Sequence, residues 1–258
     1  MRQADNSVER KLDALNFFLA DVRDGLGPYL AIYLLTERKW DEASIGAVMS
    51  LAALAGILAQ TPAGALIDRS HAKRGWMAAA AVGVTAASLM LPLFGQFAPV
   101  AATQVLAHAA GSIFAPGIAA LSLGIVGIGA FARRTGRNEA FNHAGNAVAA
   151  AIAGLSAYFY GPVTVFWLIA AMALASVAAT LSIPRAAIDD NIARGLADGE
   201  ADDTAQSDQP SGYRVLLTCR PLLIFAAATV LFFISLMQRC CRWSARSLLW
   251  SIATSAPR

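Results

Sequence analysis

Charged side chains are scarce in this chain, at 14% of 258 residues against 57% hydrophobic. That is well under the roughly 25% charge of soluble domains, and it sets the chain apart from an ordinary soluble protein. Cysteine is nearly missing too: Cys219 is isolated, and Cys240 and Cys241 adjoin near the end. Neither a disulfide framework nor a zinc cluster is expected from so few. No P-loop, dinucleotide glycine fingerprint or nucleophilic serine elbow is present, so the chain does not read as an enzyme and no cofactor or metal is expected. The net charge of +3 follows topology and points to no nucleic-acid partner.

What the chain has is long apolar runs, and its mean hydropathy is +0.54. Crossing a hydrocarbon core takes about 20 helical residues. Runs of that length lie at Leu12 to Leu35, Ser44 to Ile67, Trp76 to Phe94, Pro99 to Ile125, Phe141 to Tyr160 and Val163 to Ile183. They are continuous and rich in Ala and Leu, whereas strands of a membrane barrel alternate apolar and polar residues. The expected fold is therefore all-α: an integral membrane helical bundle of six transmembrane helices plus a partial seventh. Its expected parts are an N-terminal segment 1–11, the bundle 12–183, an acidic disordered linker 184–212, the partial seventh helix 213–237 and an anomalous tail 238–258.

Orientation follows from the connections. Arg2, Arg10 and Lys11 precede the first span, Arg69, Lys73 and Arg74 follow the second, Arg133, Arg134 and Arg137 follow the fourth, and Arg185, Arg194, Arg214 and Arg220 follow the sixth. Only Arg38 and Lys39 lie on the other side. Thirteen against two places the N-terminus in the cytoplasm of a multi-pass protein of the cell inner membrane. The first run is broken by Asp21, Arg23 and Asp24 and has no small-residue cleavage site, unlike a cleaved signal peptide. The seven acids between Ile188 and Gly212 lack the spacing and glycine turn of a calcium loop and read as a solvated cytoplasmic linker.

Between the second and third spans stands Gly64-Ala-Leu66-Ile-Asp68-Arg69-Ser-His71-Ala-Lys73-Arg74. Gly64, Leu66, Asp68, Arg69 and Lys73 match the loop pattern of the major facilitator superfamily, while His71 replaces its second glycine and Ala72 a basic residue. With six spans and a long linker, the chain from Leu12 to Met237 resembles the N-terminal half of such a transporter. The resemblance implies an alternating-access carrier of a small-molecule substrate, with proton coupling as one option. It also implies a C-terminal half that is absent here. The alternatives are an inactive remnant, a half-size membrane protein that self-associates as a homodimer without independent transport, and, third, a membrane-embedded enzyme. In the family, the acid matched by Asp68 latches the cytoplasmic side against that second half. The fourth span lacks the arginine, and the fifth the glycine-proline element, of many proton-coupled drug exporters, so drug efflux is only one option.

Polar groups inside the spans need a reason, since an ionised side chain at the bilayer centre costs at least about 2.5 kcal/mol. Asp21 and Asp24 share a helix face and Arg23 has the reach to meet a neighbouring acid; they are candidates for a proton or substrate path, or else for an ion-pair network. Gly25, Gly27 and Pro28 predict a kink just beyond them. Gln104 and His108 are one turn apart on the fourth span, with Ser112 beyond, forming a stripe that either relays protons or bonds to a neighbouring helix. Arg133, Arg134, Arg137 and Asn142 are candidates for a cytoplasmic gate. Gly145, Ala149, Ala153 and Ala157 form a small-residue ridge suited to close helix contact.

After Pro221 a seventh apolar run begins, but beyond Phe233 it meets Arg239, Arg242 and Arg246. Codons re-read from the last base of one and the first two of the next turn Met237-Gln238 into Ala, Cys240-Cys241 into Leu and Trp243-Ser244 into Val. The neighbouring frame thus restores a membrane helix. The expectation is a one-base shift that truncates a carrier of about twelve helices.

Overall fold

The computed structural model of the chain describes residues 6–24, 27–161 and 163–194, with scattered helical positions between 220 and 231. The linker beyond 194, most of the seventh helix and the tail 238–258 lie outside the described residues, as does Gly25. Two compact units divide the chain at Asp203 and Thr204, and everything below concerns the first.

Among the described residues every regular element is a helix. Backbone groups in lipid have no water to bond, so helices that satisfy themselves internally are the available solution. The first span comprises helix α1 (Asn6–Asp24) and helix α2 (Gly27–Thr36), and the expected kink falls on residues 25 and 26 between them, outside the described residues. The second is α3 (Glu42–Arg69), started by Asp41, whose carboxylate accepts from Ser44 N at 3.0 Å. The third is α4 (Lys73–Met90), continued by a 3₁₀ turn at Leu91–Leu93. The fourth breaks into α5 (Phe97–Gly111) and α6 (Phe114–Val126). Pro116 explains that break, because its ring clashes with the carbonyl four residues back, at Ser112, and it has no N–H to donate. The fifth is α7 (Ile128–Tyr160) and the sixth α8 (Thr164–Ser182).

By length and composition, Glu42–Arg69, Lys73–Leu93, Phe97–Val126 and Thr164–Ser182 can cross a membrane. The first and fifth expected spans are helical but fall outside that set: α1 carries seven charged residues and α2 is ten residues long, while α7 is diluted by His143, Asn146 and glycines.

α3 packs on α5, α5 on α4, α4 on α8, α8 on α1 and α1 on α7, so each helix hands over to the next around the bundle. The core has two layers. One joins Leu12, Leu15 and Leu19 of α1 to Met77 and Val84 of α4 and to Phe114 and Leu121 of α6. The other joins Leu30 and Leu34 of α2 to Ile45, Val100, Phe166 and Ile169. Helices α1 and α7 approach closely at Gly145, where an added Cβ would collide with the carbonyl oxygen of Phe17. Ala149 and Ala153 continue that buried seam, as the small-residue ridge predicts.

Two elements depart from the expected boundaries. Helix α1 starts at Asn6, six residues before the apolar run, and carries Glu9 in its first turn, where the helix dipole favours an acid. The first stretch of the expected linker is folded: Arg185–Ala187 is a 3₁₀ turn and Asp190–Ala193 a short helix, α9, which packs on α6 through Asp189 N to Gly124 O at 3.0 Å.

Candidate functional site

The polar residues of the charged end of the bundle form two separate assemblies. The first seams α1 to α7. Glu9, Asp13 and Asn16 are spaced by four and three residues, so one face of α1 presents all three. Arg134, Arg137 and Asn138 repeat that logic on α7. Arg134 Nη2 donates to Asp13 Oδ1 at 2.7 Å, and Arg137 reaches the same carboxylate with Nη2 at 2.5 Å and Nε at 3.0 Å. Arg134 Nη1 also donates to the Glu9 carbonyl at 3.3 Å, while Arg137 pairs with Glu9 Oε2 at 3.4 Å.

Beneath the charges lies a neutral layer. Asn138 Oδ1 accepts from Arg134 Nε at 2.8 Å and from Asn16 Nδ2 at 3.1 Å, and its amide donates to Ser122 Oγ of α6 at 2.7 Å. Asp13, Asn16, Ser122, Arg134 and Asn138 are all buried. A buried ion pair is tolerable when its remaining donors and acceptors are satisfied, and here they are. The hydrogen bond to Asp13 is the main reason Arg137 is held more firmly protonated than an ordinary arginine, against the cost of burial.

Of the gate candidates, the structure brings Arg134 and Arg137 together in this seam. Arg133 is exposed on another face of α7, and Asn142 donates to Glu139 at 3.3 Å. Arg23 also leans on α7, 4.0 Å from Glu139. Asp21 is half-buried, and the side chain of Asp24 is outside the described residues. On α5, Gln104 is buried and its Nε2 donates to nothing among the described residues. His108 is exposed one turn further on, with Nδ1 3.0 Å from the Gln104 carbonyl.

The second assembly surrounds the turn between α3 and α4. Ser70 organises it: its Oγ accepts from Ala72 N at 3.0 Å and Trp76 Nε1 at 3.1 Å, and its carbonyl accepts from Lys73 Nζ at 2.9 Å. Lys73 is only 1% exposed, and Asp190 Oδ1 at 2.8 Å neutralises it. His71 bridges Asp190 Oδ2 at 3.0 Å and Arg194 Nη2 at 3.1 Å. A neutral ring satisfies both contacts when Nδ1–H donates to Asp190 and Nε2 accepts from Arg194. Burial opposes ionisation of Asp190, but the hydrogen bonds from Lys73 and His71, and then the charge of Lys73, hold its carboxyl below the ordinary range.

The loop motif therefore divides in two. Lys73 and Arg74 turn inward, Arg74 Nη2 donating to Leu181 O at 2.5 Å. Leu66 is half-buried and its carbonyl accepts from Ser70 N. Asp68 and Arg69 are exposed, and no neighbour lies within 4 Å of where a Cβ on Gly64 would sit. The close helix contact that a glycine at this position permits is not made within the described residues.

Sequence reasoning passed over Glu9, Asp13, Asn16, Ser122, Asn138 and Asp190. The spacing of Glu9, Asp13 and Asn16 carried a signal, but these residues lay across the boundary drawn between a polar segment and a span. Asp190 sat among seven acids with no feature of its own.

The sequence model of the Major Facilitator Superfamily matches residues 13–252. Two curated relatives, each described as an uncharacterized MFS-type transporter, come from Mycobacterium tuberculosis strains CDC 1551 / Oshkosh and ATCC 25618 / H37Rv. Each is 56% identical over 227 residues, which is 87% of this chain and 53% of the relative. The chain thus spans about half the length of the curated relatives it matches.

Proposed function

The chain belongs to the major facilitator superfamily, and from that premise we propose that it supplies one six-helix half of an alternating-access carrier for a small solute. Such carriers work by rocking two rigid bodies around a midplane site. What carries the reading is the Asp13–Arg134–Arg137 seam, whose charges are all spent inside one bundle. It ties the first, fourth and fifth spans into a unit that can move as a whole. Asp68, Arg69 and Gly64, which meet no partner among the described residues, are left to meet a second body.

In this reading Asp21, Arg23 and Asp24 of α1 and Gln104 and His108 of α5 flank the solute path. Gln104 is the firmest of these, because a buried donor without an acceptor is costly and invites a polar ligand. Proton coupling through an α1 acid or His108 belongs to the same proposal. So do the inner-membrane location and the cytoplasmic N-terminus, which the thirteen-to-two charge asymmetry supports.

The second body is either a C-terminal half or a second copy of this chain. The break in hydropathy after Phe233 favours a frame change ahead of a C-terminal half, although the family match continues to residue 252. Sequencing the DNA beyond the Phe233 codon decides between them: further apolar spans in the neighbouring frame support the frame change, and none removes it. For the carrier itself, the purified chain is placed in vesicles holding a pH-sensitive dye. It is then challenged with a solute panel under a proton gradient, and cross-linked in parallel. Solute-dependent proton flux from a dimer establishes a self-sufficient half; no flux and a monomer identify a membrane protein that does not transport by itself.

A further inference from the structure

Beside the α3–α4 turn lies a cavity of about 290 Å³, lined by Lys73, Arg74, Leu181, Arg185, Ile188 and Asp190 among others. Its single carboxylate, Asp190, is already taken by Lys73 and His71. Two guanidinium groups are left over. Arg74 gives one N–H to the Leu181 carbonyl, while its Nε is buried and donates to nothing among the described residues. Arg185 is exposed and enters no ion pair among the described residues. Two uncompensated cations in one small cavity repel each other unless an anion joins them. Planar guanidinium forks favour an oxyanion over a halide.

The cavity wall identifies the anion's carrier. Leu181 ends an exposed stripe on α8 at seven-residue spacing: Trp167 is 69% exposed, Leu174 73% and Leu181 52%. At 1.5 Å per residue the stripe runs about 21 Å, longer than the roughly 15 Å that one leaflet contributes to the hydrocarbon core. Trp76, at the cavity end of α4 and bonded to Ser70, marks the depth where amphipathic rings favour the boundary between headgroups and chains. Volume argues the same way, since the cavity lies at the lower end of small-molecule sites and holds a headgroup fragment, not a whole solute.

We propose that Arg74 and Arg185 bind the phosphodiester of an anionic phospholipid whose acyl chain lies along the Trp167–Leu174–Leu181 stripe. A free phosphate would satisfy the two arginines but leave the apolar lip unused. A zwitterionic lipid brings the phosphate together with a cation that the pair repels. Basic pockets between helices at a membrane surface bind anionic headgroups by this chemistry. The inference rests on the cavity and the exposed stripe of a membrane helix and does not depend on which solute is carried.

The test uses the full 258-residue chain in detergent, titrated with phosphatidylglycerol, phosphatidylcholine and inorganic phosphate and read by native mass spectrometry. Phosphatidylglycerol is expected to bind in preference to phosphatidylcholine. Since each basic residue near the surface is worth about five-fold, Arg74→Gln with Arg185→Gln is expected to lower phosphatidylglycerol affinity by roughly 25-fold. The charge-matched control Arg10→Gln with Lys39→Gln, both at exposed positions, keeps the preference. Arg185→Gln alone, on an exposed side chain, gives about a five-fold loss in the event that the double variant does not fold. Equal binding of the two lipids, an undiminished preference in the arginine variants, or displacement of phosphatidylglycerol by inorganic phosphate at comparable concentration would each overturn the proposal.

Discussion

Asp13 accepts hydrogen bonds from two arginines while almost wholly buried, which makes it the residue on which the α1–α7 seam depends. Removing one partner of a buried pair leaves the other charge uncompensated, at about 3–5 kcal/mol. Asp13→Asn is expected to lower stability by that amount in thermal unfolding of the detergent-solubilised chain, chiefly because Arg134 cannot reach water. Arg137 is half exposed and can turn away, so Asp13→Leu with Arg134→Met should recover much of the loss. Asp190 makes a different prediction, in pH. Its carboxyl is depressed in the folded state; the stability it adds is therefore present above its unfolded value of about 3.9 and disappears as pH falls through the lower folded value. Hydrogen exchange of residues 185–193 should stay slow at neutral pH and rise only below about pH 4. In Asp190→Asn it should be roughly ten-fold faster already at neutral pH, the equivalent of one charge-assisted hydrogen bond.

Two glycines separate helix faces that are packed from faces that are not. At Gly145 an added methyl meets the Phe17 carbonyl and the Ala20 methyl, so α1 and α7 must part; at Gly64 it meets nothing. Gly145→Ala should cost about 1–3 kcal/mol by overpacking, whereas Gly64→Ala should stay within about 0.5 kcal/mol, both read from thermal unfolding. The α7 side of this contrast was legible in the four-residue repeat of Gly145, Ala149 and Ala153, because small side chains at helical spacing leave little to do except pack closely. The spans were legible as well, since helix is the available fold for a long apolar run in lipid. Chain pairing was not. That Arg134 meets Asp13, 121 residues away, or that Lys73 meets Asp190, 117 away, depends on which helices become neighbours, and hydropathy does not encode that. The polar seam also straddles the edges of the apolar runs, with Asp13, Asn16 and Ser122 inside them and Glu9, Arg134, Arg137 and Asn138 outside, so a reading by hydropathy divides it.

At the scale of the whole molecule, the two ends of the loop motif differ in what they can sense. Lys73 is bound to Asp190 just after the sixth span and Arg74 to Leu181 at its end, so both move with this half and report nothing about another. Asp68 and Arg69, in the last turn of α3, are exposed and offer an acid and a base to whatever approaches. An acid at a helix C-terminus opposes the dipole of its own helix, so Asp68 is not there to stabilise α3. Asp68→Asn should accordingly leave the unfolding temperature of this chain unchanged, equivalent to less than about 0.5 kcal/mol. If the second body exists, the same substitution in a reconstituted two-half carrier should weaken the closed state on this side. Cross-linking between the α3 end and the opposing half should drop several-fold, with the Lys73–Asp190 contact intact. A change in stability of the isolated chain would instead make Asp68 a structural residue of this half, and the division of the loop into an inward latch and an outward sensor would fail with it.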